Sequence, residues 1–251
     1  MENVDYDERQ HLVYRQGRAV SDETVQAWMR AFARHVPQRR PLSVLDLGSG
    51  TGRYTPALAE AFGGPVYGVE PSAKMRQDAE RFSAHPAVAY LAGNAKRIPL
   101  ATDSCDVVLL FLVFHHVHDR PAATAEIARV LRPHGRLLIR STFADRMPEL
   151  GWHRFFPRAF EIEKQMFPAV GEVVNLFGQV GLDRRALDPV PERFANSLAE
   201  SAARLHLRAI STFEFLTAEE TERGFAALDA AVAAETTPHP VEGISDLLVL
   251  G

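Results

Sequence analysis

Cysteine is nearly missing from this chain. Cys105 is the single one among 251 residues, so an internal disulfide is excluded and a reducing cytoplasm is the expected setting. Long apolar runs are missing too. The longest, Val107–Phe114, falls far short of the roughly 20 residues that cross a bilayer, and no membrane partner is expected. The opening MENVDYDERQ is polar and acidic, unlike a secretory signal. No long block of basic charge occurs, and the net charge of −4 argues against a large electrostatic footprint for nucleic acid. Ten histidines invite a metal, yet neither H-E-x-x-H nor paired Cys/His spacing is present, and no metal is expected. What remains, 46% apolar and 24% charged residues, is an ordinary globular composition in a chain long enough for a full core.

Within that composition, apolar runs alternate with helical patterns. Val44–Gly48, Val66–Glu70, Val88–Gly93, Cys105–Phe111 and Arg136–Phe143 read as strands. Between them, Tyr54, Leu58, Ala61 and Phe62, then Met75, Ala79 and Phe82, then Ile127, Val130 and Leu131 fall at helical spacing. Ser72 and Asp119 stand where N-caps are expected. Near-continuous apolar strands alternating with helices predict a parallel sheet covered on both faces. The second half is less regular. Leu182–Val190 and Asp246–Leu250 read as strands, with a helix expected from about Pro191 to Ala209 and another opening at the capping-box pattern Thr217/Glu220. No internal repeat is visible.

The stretch VLDLGSGTG carries the chemistry. Gly48, Gly50 and Gly52 lie two residues apart behind Asp46 at the end of the first strand, where open parallel sheets bind ligands. The dinucleotide fingerprint is G-x-G-x-x-G; here the third glycine arrives one residue early. A carboxylate this close repels pyrophosphate but helps hold an ammonium. Glu70 ends the second strand 22 residues after Gly48, where an acid can accept from both hydroxyls of a ribose. A nicotinamide-dependent dehydrogenase on the same kind of sheet is the weaker reading, because of the glycine spacing and Asp46.

From Val44 to Phe143 the chain resembles the class I S-adenosylmethionine-dependent methyltransferases of the small-molecule type. DLGSGTG looks like that family's first motif and GVEPSAKM like its second, while AGNAKRIPL, DVVLLFLVFHHV and RVLRPHGRLLI are similar to its later segments. The resemblance implies a Rossmann-like fold with a mostly parallel seven-stranded sheet, helices on both faces and a helical lid. One domain is implied, with a helical cover over 1–40, a cofactor-binding core over 41–190, a lid insertion over 191–243 and a last strand over 244–251. The implied cofactor is S-adenosyl-L-methionine, leaving as S-adenosyl-L-homocysteine. Asp46 and the loop Gly48, Ser49, Gly50 and Gly52 then surround the methionine end. Glu70 takes the ribose, with Pro71, Met75 and Phe111 beside the cofactor, and Asn94 and Ala95 read adenine, the Asn94 amide oxygen accepting from its amino group. The N-P-P-Y-like motif of many nucleic-acid amino-methyltransferases is missing after the fourth strand, where FLVFHH stands. A small-molecule methyl acceptor is therefore expected rather than nucleic acid. A non-catalytic regulatory domain that binds the same cofactor is the alternative.

His115 and His116 follow the fourth strand, where the methyl group should emerge. A histidine of unperturbed pKa near ~6.5 suits proton removal, so one of the two is a candidate general base. Tyr14 and Arg18, just before the helical pattern DETVQAWMRAF, are candidates for covering the cofactor, Arg18 by pairing with its carboxylate. Trp152, Phe155, Phe156 and Phe160 share a spacing that permits one helix face. Such stripes are usually core. The competing reading makes Trp152, Phe155 and Phe156 the wall of a pocket for an apolar or aromatic metabolite.

Overall fold

Seven strands form one sheet, in the order Val88–Ala92, Val66–Glu70, Val44–Leu47, Cys105–Phe111, Leu131–Ser141, Val241–Leu250 and Arg184–Ala195. The computed structural model describes residues 11–148 and 151–251, so the first ten residues of the expected N-terminal cover lie outside the described residues. β1 (Val44–Leu47), β2 (Val66–Glu70), β3 (Val88–Ala92), β4 (Cys105–Phe111) and β5 (Leu131–Ser141) run parallel. β7 (Val241–Leu250) is antiparallel to β5 on one side and to β6 (Arg184–Ala195) on the other. Every residue of β1 and β4 is buried, which explains their largely apolar sequence, broken only by Asp46 and Asp106: both faces of a central parallel strand are covered.

Nine α-helices are present among the described residues: α1 (His11–Gly17), α2 (Asp22–Ala33), α3 (Thr55–Phe62), α4 (Ala73–Phe82), α5 (Arg120–Val130), α6 (Pro157–Met166), α7 (Val170–Gly178), α8 (Leu198–His206) and α9 (Ala218–Ala234). Their starts follow local chemistry. Ser72 accepts from the Met75 amide at 3.1 Å and Asp119 from the Ala122 amide at 3.2 Å. Thr217 and Glu220 form the expected reciprocal box at α9. One core packs α2 and α3 on one face of the sheet through Trp28, Phe32 and Phe62. A second packs α5 and α7 on the other through Ile127, Val130 and Phe177. A third, around Phe156, Phe213 and Phe225, joins α6, α8 and α9 above the carboxyl edge. No described helix is long and apolar enough to cross a membrane.

Three expectations need correction. The chain from Pro191 is first strand and only later helix: β6 continues to Ala195 and α8 opens at Leu198, capped by Ser197. Pro189 and Pro191 are tolerated because β6 is the outermost strand, where a missing N–H on the solvent side costs no ladder bond. β7 begins at Val241, earlier than its apolar end suggests, because its polar half pairs with the extension of β6, from Ser245 opposite Val190 to Val241 opposite Ala195. Pairing with β5 stops at Ser141 opposite Asp246. The two strands therefore rise past the sheet as a ribbon and bring Glu192 and Ser245 over the ends of β4 and β5. Finally, Trp152, Phe155, Phe156 and Phe160 do not share a helix: a turn carries the first two, and Phe156 is the N-cap position of α6. Pro157 begins the helix at its first position, where a missing N–H is harmless.

Candidate active site

The glycine turn after β1 is held by backbone bonds: the Gly48 amide donates to the Val69 carbonyl at 2.7 Å and the Gly52 amide to the Ser49 carbonyl at 2.9 Å. Glu70, buried at the end of β2, closes the turn from the other side. Its carboxylate accepts from the Gly50 amide at 3.0 Å and from the Ser72 amide at 2.9 Å. The loop and the acid that the sequence placed together are thus physically joined. Ser49 Oγ is buried with no hydrogen-bond partner among the described residues. An orphaned hydroxyl beside a backbone turn open to ligand is a site with hydrogen bonding still to be satisfied.

The glycines differ in purpose. A Cβ on Gly52 would lie 2.2 Å from Tyr90 Oη and 2.8 Å from Ser83 Cβ, at a φ of +74°. This glycine makes room for the protein itself. Gly50, at φ +56°, has only the Tyr14 ring within reach, 3.9 Å from the Cβ position; it is the glycine that borders open space. Gly52→Ala is therefore expected to cost about 2–4 kcal/mol of stability, from left-handed strain plus overpacking. Gly50→Ala should cost only about 1–2 kcal/mol while weakening S-adenosylhomocysteine binding at least tenfold. Urea unfolding and ligand titration of the two variants check this, and equal affinity losses would contradict it.

Asp46, 3% exposed, accepts from the Thr55 hydroxyl at 2.7 Å. Burial pushes its pKa up to about 6; Thr55 and Arg53 pull it down and the Glu70 charge adds to the rise. A group whose folded-state pKa is raised contributes stability below its unfolded value and loses it as pH rises through the folded one. Asp46→Asn is accordingly expected to be about 1–3 kcal/mol more stable than the parent at pH 8. The advantage should vanish near pH 4, as measured by unfolding across that range.

The remaining cofactor candidates are placed as follows. Met75 is buried in the first turn of α4, and the Pro71 carbonyl accepts from Arg76. Asn94 is exposed after β3, beside a half-buried Ala95. Its carboxamide oxygen accepts from the Lys96 and Arg97 amides at 3.0 and 3.1 Å. That oxygen is engaged within its own turn, contrary to the expectation that it accepts from adenine.

Beside this loop lies a cavity of about 220 Å³ over the ends of β4 and β5. Tyr14 and Arg18 line it from α1 and the turn behind it, His115 and His116 from the exit of β4, and Trp152 from the turn before α6. Phe155 and Phe156 do not line it. Phe156, 2% exposed, is packed edge-on against Phe213 and Phe225, and Phe155 flanks the same cluster. The core reading holds for these two, and Trp152 alone of the three faces the cavity. Phe111 forms part of its floor, stacked on Tyr54 with centroids 4.0 Å apart and edge-on to Trp28 at 5.3 Å.

Leu112 takes a left-handed conformation, φ +57°, directly after β4. The costly turn redirects the chain into the short 3-10 segment Phe114–His116 and sets both imidazoles against the cavity, centroids 3.9 Å apart. Their environment departs from the unperturbed one expected. Burial, His116 and the guanidinium groups of Arg18, Arg120 and Arg140 hold His115 well below the ordinary histidine range. Burial, His118 and Arg18 push His116 down to about 4. Both rings are neutral at pH 7, and His115 Nδ1 is buried without a partner among the described residues.

Sequence reasoning passed over Arg53, Arg140 and Glu192. Arg140 donates to Glu192 at 2.6 Å and to Ser245 at 3.0 Å, and Trp28 Nε1 donates to the other Glu192 oxygen at 2.7 Å. The available signal was the arginine at the end of RLLIRS, an ion in a buried strand. Its partner sits far away in an irregular stretch. Among the described residues no cluster of three or more His, Cys, Asp or Glu side chains is arranged to hold a metal.

Sheet order, glycine turn and strand-end acid together define the class I methyltransferase fold. Residues 45–139 match the methyltransferase domain family. An uncharacterized methyltransferase of Mycobacterium tuberculosis is 41% identical over 152 residues, 60% of this chain and 53% of that protein. One from Geobacillus kaustophilus is 30% identical over 148 residues, 55% of this chain and 67% of that protein. The chain thus spans about half the length of the mycobacterial relative. A candidate methyltransferase from an antibiotic biosynthesis pathway of Anabaena variabilis has the same fold, with TM-score 0.73 and 22% identity over 92% of this chain and all of that one. The chain belongs to the methyltransferase family.

Proposed function

We propose that the protein transfers a methyl group from S-adenosylmethionine to a compact small-molecule acceptor, apolar or aromatic in its body. The observation that carries this reading is the Glu70 carboxylate bonded to the Gly50 amide, beside a cavity that two neutral histidines line. When bound, the cofactor supplies a methyl group activated on a sulfonium. In this reading Glu70 holds the ribose hydroxyls, Pro71 and Met75 flank it, and Ala95 with the Asn94 amide N–H groups meets the adenine edge. Asp46, Ser49 and the turn from Gly48 to Gly52 receive the methionine end, and Arg18 its carboxylate. Tyr14 and α1 close over the turn, while residues 191–243 supply the lid side of the cavity. At about 220 Å³, below the ~300–1,000 Å³ of sites for drug-sized ligands, the cavity suits a one-ring acceptor.

Holding an acceptor here contributes chiefly alignment, for which effective molarities of roughly 10⁵–10⁸ M are available. His115 and His116 orient the acceptor as neutral groups, and His115 Nδ1 takes a proton from an acceptor that must lose one. His115→Ala and His116→Ala are each expected to lower turnover by about 10²-fold with cofactor affinity unchanged within about twofold. Because both rings are already neutral, the parent's pH–rate profile should show no limb near ~6.5. Methyl transfer to a panel of one-ring phenols, amines and acids tests the function itself. Cofactor binding without transfer to any of them would favour the regulatory domain.

A further inference from the structure

Two arginines meet at the floor of the cavity. The Arg140 guanidinium carbon lies 4.9 Å from the Phe111 centroid and that of Arg53 lies 5.8 Å from the same ring. Both side chains line the cavity, and both Nε atoms are buried with no hydrogen-bond partner among the described residues. Arg140 is 7% exposed, so the lack is not made good by bulk water. A buried donor without a partner costs free energy unless a ligand satisfies it.

The charges do not cancel. Glu192 neutralises Arg140, and Glu163, the other carboxylate lining the cavity, is engaged by His153 and Thr212. Arg193 and Arg204 pair with Glu23, Glu242 and Glu200. Arg53 has no carboxylate within ion-pair distance among the described residues. Its guanidinium donates to the Arg18 carbonyl and rests on Tyr54 and Phe111. The floor therefore carries one guanidinium with no carboxylate in ion-pair contact among the described residues, and two orphaned donors, set on Phe111 and Tyr54 with Trp28 packed behind them.

We infer that the methyl acceptor bears a carboxylate, and that Arg53 and Arg140 are its anchor. This rests on the proposed reading of the cavity as the acceptor site. An acceptor-only group that is planar and anionic fills two guanidinium donors at once, and the apolar ring behind it packs on the aromatic base. The cofactor's own carboxylate is the weaker occupant. Arg140 sits on β5, separated by β4 from the glycine turn after β1, about 10 Å away at the usual strand spacing.

The test uses calorimetric titration of the full chain. The protein is first titrated with S-adenosylhomocysteine, then, saturated with it, with acetate, benzoate, phenylacetate and indole-3-acetate, each beside its neutral amide. At least one acid should bind ten or more times tighter than its amide. Arg53→Gln should abolish that preference while leaving S-adenosylhomocysteine affinity within about twofold. Arg140→Gln should do the same if it folds, and Arg53→Gln carries the test if it does not. Equal binding of every acid and its amide overturns the inference, as does loss of S-adenosylhomocysteine affinity in Arg53→Gln, which would give that arginine to the cofactor. Failure of S-adenosylhomocysteine to bind the parent protein refutes instead the reading on which the inference rests.

Discussion

Replacing Glu70 by alanine is expected to weaken S-adenosylhomocysteine binding by about 10²-fold or more. On the proposed reading, two charge-assisted hydrogen bonds to ribose hydroxyls are at stake, each worth roughly 1.5–3 kcal/mol. The same carboxylate also holds the Gly50 and Ser72 amides, so its removal also unfastens the glycine turn. Glu70→Gln keeps an acceptor for one amide but loses the charge, and should fall between parent and alanine. Calorimetric titration with folding verified by circular dichroism reads the effect. Parent-like affinity in Glu70→Ala would remove the acid from the site.

Glu192→Ala should lower stability by about 3–5 kcal/mol, the cost of leaving a buried ion without its partner. Burial pushes the Glu192 carboxyl up, yet the Arg140 charge and the bonds from Ser245, Trp28 and Arg140 hold it below the ordinary carboxylate range. Its contribution is therefore present at neutral pH and lost as pH falls through the depressed folded-state value. Truncation strands Arg140 and also the indole N–H of Trp28, which is fully buried. Removing both charges, as in Arg140→Met with Glu192→Met, should recover part of the loss, because paired apolar replacements of buried ion pairs are often well tolerated. Urea unfolding of the two single variants and the double variant measures the coupling. A double variant no better than the sum of the singles would show that the two charges do not act as a pair.

The parallel half of the fold was legible because its signals are local. A buried central strand such as β4 is apolar from Val107 to Phe111, and Ser72, Asp119 and Thr217 cap the helices that follow them. The antiparallel edge was legible only in part: Leu182–Val190 and Asp246–Leu250 read as strands, but not their extensions to Ala195 and back to Val241. β6 carries two prolines and several charges that imitate a helix start, and only its outer position in the sheet makes them acceptable in a strand. α7 went unread although Val170, Val173 and Phe177 share its buried face and Glu172 accepts from the Ala169 amide at its start. In the candidate site, the glycine turn and Glu70 were visible as a spacing. The floor was not, because Arg53, Phe111, Arg140 and Glu192 come from four distant segments and gather only in three dimensions. The histidines show the same limit. Their position was readable, but the burial and neighbouring arginines that depress their pKa were not.

Calorimetric titration of the parent protein with S-adenosylhomocysteine, in parallel with NAD, decides between the methyl donor and a nicotinamide cofactor. One S-adenosylhomocysteine site per chain is expected, with a dissociation constant in the micromolar range or tighter, and no heat from NAD. Absence of S-adenosylhomocysteine binding, or saturable binding of NAD in its place, would contradict that expectation.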